Sequence, residues 1–144
     1  DRQTGDLFFE VPRPAAPVPG SMDFRATVTA LVGQMLDDAT KNGKDRWAIA
    51  ADMSRLAGKE ISKYMLDAYS APSRDDYNAP AWLMPLLETA CDSHLYSAWL
   101  ADVRGARLSI GRDALTAELG RVSRECDELS ERKRALREQL RRTR

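Results

Sequence analysis

WAIAADMSRLAGKEISKYMLDAY, residues 47–69, reads as two short helices broken by a tight turn. The spacing predicts a helix-turn-helix. Such a motif needs a small residue where the helices cross, an apolar residue after the turn, and a β-branched and a large residue to seat the second helix. Ala51, Leu56, Ile61 and Tyr64 fill these places in order. The position that commonly holds the turn glycine is Arg55, and Gly58 follows three residues later, which predicts a turn longer than the common one. The second helix, expected over Lys59–Tyr69, should bury Ile61, Tyr64, Met65 and Ala68. Its outer face at the start then presents Ala57, Gly58, Lys59, Glu60 and Lys63, where such a motif meets a DNA major groove.

Working outward, Asp45 is the expected cap of the first motif helix, with Trp47, Ile49, Ala50 and Met53 directed inward. Upstream, Phe24, Val28, Leu31, Val32, Met35 and Leu36 recur at three- and four-residue intervals behind Asp23, predicting an amphipathic helix with Asp23 as its N-cap. Downstream, the polar loop SAPSRDDYNAP (70–80) precedes a helix marked by Trp82, Leu83, Leu86, Leu87 and Ala90, with Pro85 in its first turn. Ser93 caps another bearing Leu95, Ala98, Trp99 and Val103, which Gly105 ends.

From Gly111 the period changes. Leu115, Leu119, Val122, Cys126, Leu129, Lys133, Leu136 and Leu140 alternate by four and three without a slip. This is a heptad seam, with Leu119, Cys126, Lys133 and Leu140 at a and the others at d. A lysine at a disfavours three or four strands, whose buried ammonium groups could not all reach water, so a homodimer is expected, parallel or antiparallel. The fold class is therefore all-α: a compact multi-helix domain containing a helix-turn-helix (23–108), followed by a long C-terminal coiled-coil helix (109–144). Residues 1–22 hold four of the seven prolines and no helical period, and read as an extended, disordered arm. The cluster Leu7, Phe8, Phe9 and Val11 within it either packs back on the body or docks a protein partner.

The formal charge of the 144-residue chain is zero, but residues 1–103 carry 10 basic and 15 acidic side chains against 12 and 7 in residues 104–144. Between Lys41 and Lys63 there are six basic and three acidic residues, a modest excess for contacting phosphates. Double-stranded DNA is thus the expected partner. Arg46 and Arg55 are placed at the phosphate backbone, and Gly58, Lys59, Glu60, Ser62 and Lys63 at the groove.

Catalysis is not expected. The single His94 has no nucleophile or metal-ligand pattern around it, Asp37–Asp38 and Asp75–Asp76 do not face one another, and no glycine-rich phosphate loop is present. Cys91 and Cys126 lack CxxC spacing, so reduced thiols are expected, with no metal and no cofactor. No apolar run approaches a membrane span, and the opening residues lack a secretion-signal pattern.

The segment IAADMSRLAGKEISKYMLDAYSAPSRDDYNAPAWLMPLLETA (49–90), with the tail ALTAELGRVSRECDELSERKRALREQL (114–140), resembles small regulatory proteins of temperate and Mu-like transposable phages and prophages, EISKYMLDAYSAPS (60–73) being the closest shared phrase. The resemblance implies a bacterial cytoplasm, a phage-derived gene and helix-turn-helix DNA binding of the repressor and CII-like kind. Three functions follow: a dimeric regulator on an inverted repeat, a DNA-packaging or transposition accessory protein, or an interaction adaptor that does not bind DNA.

Overall fold

The computed structural model describes residues 11–143. Among them are six α-helices and no strand: α1 (Arg25–Lys41), α2 (Arg46–Ala57), α3 (Lys63–Ser70), α4 (Met84–Cys91), α5 (Leu95–Val103) and α6 (Arg112–Arg142), with single 3₁₀ turns at Pro72–Arg74 and Ala81–Leu83. They fall into two units, one ending at Arg107 and the other starting at Leu108.

In the first unit α1 packs against α2, α3, α4 and α5, and α2 packs against α3 and α4. Val32, Met35 and Leu36 of α1, Ile49 and Met53 of α2, Leu66 of α3, and Leu83 and Leu87 around α4 are essentially inaccessible. Each such side chain removes enough apolar surface from water to stabilise the unit by about 1.5–3 kcal/mol before its ordering entropy is charged against it. Two buried polar groups tie connections to this core. Thr29 accepts from Asn78 Nδ2 at 3.0 Å, and the same amide donates to the Arg25 carbonyl at 3.0 Å, which moors the 70–80 loop on α1. Glu88 accepts from the Ser97 backbone N–H at 2.8 Å and from its hydroxyl at 2.6 Å, joining α4 to α5.

Helix starts follow local chemistry, with shifts at α1, α3 and α5, where the N-cap is His94 and not Ser93, whose hydroxyl oxygen instead accepts from Leu95 N–H at 3.2 Å. Asp45 caps α2 by accepting from Ala48 N–H at 2.8 Å, and Pro85 lies in the first turn of α4, both as expected. At α1 the N-cap is Phe24, not Asp23. The Phe24 ring packs edge-on against Trp99 at 5.3 Å between centroids, while Asp23 grips the Arg25 guanidinium at 2.6–2.8 Å. That ion pair lowers the Asp23 carboxyl to about 2.

Residues 13–15 run beside the C-terminal end of α5. Pro14 and Arg104 form an isolated antiparallel bridge, and Ala15 N–H donates to the Val103 carbonyl at 3.0 Å. The approach requires glycine at 105: φ is +73°, and a Cβ there would lie 2.4 Å from Pro14 N. Leu7, Phe8 and Phe9 lie outside the described residues, and Val11 is exposed.

The second unit is dominated by α6, an unbroken 31-residue helix. Its apolar seam is wet throughout: Leu115, Leu119, Leu129 and Leu140 are each 64–73% exposed, and Cys126 is exposed. Along its surface Arg121 bridges Glu118 and Glu125, and Arg142 pairs with Glu138 at 2.7 Å. Among the described residues, no helix is long and apolar enough to cross a membrane and no group of His, Cys, Asp and Glu could hold a metal ion.

Candidate nucleic-acid interface

The connection between α2 and α3 is built by three residues. Gly58 takes the left-handed conformation, φ +68°, and ends α2 by donating its N–H to the Ser54 carbonyl. Ser54 Oγ lies 2.8 and 3.0 Å from the Ala50 and Ile61 carbonyls and accepts from Ile61 N–H at 2.8 Å, which stitches the returning chain onto α2. Ser62 then caps α3, accepting from Met65 N–H at 3.2 Å. The connection therefore spans Gly58–Ser62, and α3 begins at Lys63, four residues later than the spacing implied.

This shift rotates the buried set. Ile61 is buried from the connection itself, and α3 buries Leu66 and Tyr69. Tyr64 is 70% exposed, Leu56 and Ala51 are exposed, and Ala50 takes the small-residue place on α2. Trp47, expected inward, is 59% exposed and meets Tyr64 edge-on at 5.9 Å. Trp82, expected to mark a buried face, is also largely exposed.

The basic residues divide into two groups. Arg46 is held inward: its guanidinium donates to Asp67 at 2.8 Å, Ser70 Oγ at 3.0 Å and Asp37 at 3.3 Å, linking α2 to α3 and α1. Lys63 shares Asp67, with Nζ at 2.7 Å, and lies 5.7 and 5.8 Å from the Trp47 and Tyr64 ring centroids. The Lys63 ammonium, joined by Arg46, keeps the Asp67 carboxyl below its ordinary range against the opposing pull of burial. Arg46 is thus occupied in holding α2 to α3 and α1, while Lys63 is paired four residues along its own helix. Lys44 is similarly engaged, on Asp52 and on the Ala90 carbonyl at 2.7 Å. Lys44 holds Asp52 below its ordinary range, helped by Arg55.

The second group faces water. Arg55 is 70% exposed with a loose 3.7 Å contact to Asp52. Lys59 is exposed, its Nζ 4.1 Å above the Trp82 ring. Glu60 and Gly58 are exposed on the connection. The result is a shallow cleft between α2 and α3, walled by Trp47, Ser54, Glu60, Ser62, Lys63 and Tyr64, with Ile61 in its floor. Chemically its lining offers the Glu60 carboxylate, the Ser54 and Ser62 hydroxyls, the Lys63 ammonium already paired with Asp67, and the flat surfaces of Trp47 and Tyr64. The aromatic component was missed because Trp and Tyr at helical spacing read first as core. A finer signal was available: Ser62 as a cap puts Tyr64 two residues into α3, off the Leu66–Tyr69 face.

The chain matches no protein-family model, no curated protein and no solved structure.

Proposed function

We propose that this chain is a DNA-binding regulatory protein, with α2 and α3 acting as a helix-turn-helix and α6 joining two copies, in a bacterial cytoplasm and on an inverted-repeat site. The observation that carries the reading is the surface from Gly58 to Tyr64, which leaves Lys59 and Glu60 on the connection and Tyr64 in the first turn of α3 exposed to water, with α3 braced through Asp67. A base-reading helix needs such rigidity, because a hydrogen bond to a base edge discriminates only when its donor is positioned in advance.

In this reading Arg55 and Lys59 meet phosphates, Glu60 accepts from a cytosine amino group, and Tyr64 and Trp47 pack on thymine methyls or sugars. Arg46 and Lys63 set the angle between the helices and do not themselves read sequence. Two water-exposed cations on this surface of each copy, Arg55 and Lys59, give weak affinity, so two copies acting together are required.

The test is retention of the intact protein on fragments of its own genomic neighbourhood across a salt series. Arg55→Ala and Lys59→Ala should each lower the salt slope by about one counterion, weakening all sequences alike. Tyr64→Ala should relax sequence choice by about 1–3 kcal/mol at the contacted position. No retention of any fragment at low salt, or three variants indistinguishable from wild type, would refute the proposal. The exposed rings of Trp47, Tyr64 and Trp82 favour an adaptor as the second reading, since Trp and Tyr beside neutralised charge are the usual anchors of protein interfaces. Under that reading Trp47→Ala abolishes capture of a protein and leaves DNA untouched.

A further inference from the structure

We infer that the occupant of the α6 seam is a second copy of α6 running antiparallel, in the register that sets Leu115 against the partner's Leu140. The inference rests on the dimeric reading above and adds its orientation. Three observations carry it: the seam's exposure, the position of Lys133, and the charges that flank the seam.

In a parallel pair each a residue meets its own mate. Lys133 would then face the partner's Lys133 across the core. The flanking residues are no better, because position g of one strand reaches position e of the next heptad on the other. Glu118 and Glu125 would meet the partner's Ser123 and Ser130, forming no ion pair, and Arg132 would meet the partner's Arg137 on both sides. Among the described residues, the ion pairs along α6 engage Arg121 and Arg142, and none engages Arg132, Lys133 or Arg137.

Reversing one strand removes each conflict. Position a then faces d, and one register uses all eight seam residues. It sets Leu119 against the partner's Leu136, Cys126 against its Leu129, Lys133 against its Val122 and Leu140 against its Leu115. Lys133 lies beside a small apolar residue, which its aliphatic stem can cover while the ammonium reaches water. Flanking contacts become g to g. Glu125 meets the partner's Arg132 twice by symmetry, and Glu118 meets its Gln139. Like charges no longer meet along the seam.

Two measurements on the full chain test this. Sedimentation equilibrium gives the dimer Kd for wild type, Arg132→Glu and the double variant Glu125→Arg, Arg132→Glu. The antiparallel seam predicts that Arg132→Glu weakens the dimer roughly five- to thirty-fold, by turning two attractions into repulsions, and that the double variant restores it. A parallel seam predicts the opposite sign, since Arg132→Glu would relieve a repulsion. Separately, in a Cys126→Ser background, chains carrying Leu119→Cys and chains carrying Leu136→Cys should crosslink on mild oxidation only when mixed. Self-crosslinking of Leu119→Cys, or a tightened Arg132→Glu dimer, overturns the orientation and leaves the DNA-binding proposal standing. A monomeric mass for wild type at tens of micromolar overturns the orientation and the dimeric part of that proposal together.

Discussion

Asp67 holds the α2–α3 arrangement in place, because one carboxylate receives both Arg46 and Lys63. Replacing it with Asn keeps the shape and removes the charge, leaving two part-buried cations facing a neutral amide. Asp67→Asn should cost about 1–2 kcal/mol of unfolding free energy, discounted for the partial exposure of all three side chains. The pH dependence has a definite sign. The folded carboxyl titrates below its ordinary 3.8, so its contribution is complete above that value and is lost as pH falls through the lower, folded one. The difference in urea midpoint between wild type and Asp67→Asn should therefore be full at neutral pH and narrow progressively as pH falls below 3.8. A gap that persists in acid would show that the ion pairs are not its source. The Lys63–Asp67 pair has the four-residue spacing that sequence can show, whereas the Arg46–Asp67 link could not be read there, since those residues are 21 positions apart and only the packed helices bring them together.

Element boundaries were readable at α2 and α4 but misread at α3, where the apolar period runs on through the connection and hides the Ser62 cap. Asp45 announced α2 and Pro85 announced the first turn of α4. Ile61 was phased with Tyr64 and Ala68 as if on one helix, but residues 59–62 are not helical, so the phase does not carry across Ser62. The seam of α6 was readable in full because its seven-residue repeat runs for the whole 31-residue helix. If that seam closes on a second copy, Leu129→Ala with Leu136→Ala should remove about 2–5 kcal/mol per buried leucine and yield monomer at micromolar concentration. Light scattering checks it, and an unchanged mass would exclude the seam as the dimer contact.

Across the chain, the change of period near Gly111 and the shift from acidic to basic composition mark the division observed after Arg107. The core side chains and their polar ties all lie on the N-terminal side of that division. A chain ending at Arg107 should accordingly unfold in one cooperative transition by circular dichroism and sediment as a monomer. A broad, non-cooperative melt would mean that α6 supplies part of the stability. If the exposed α6 seam pairs two copies, it also has a quantitative consequence for dosage. Where most copies are single, the concentration of paired copies rises with the square of the total, so halving the amount of protein leaves about a quarter of the pairs. A site that needs a pair would then respond to the level of this chain as a threshold, silent while copies are few and filling steeply as they accumulate.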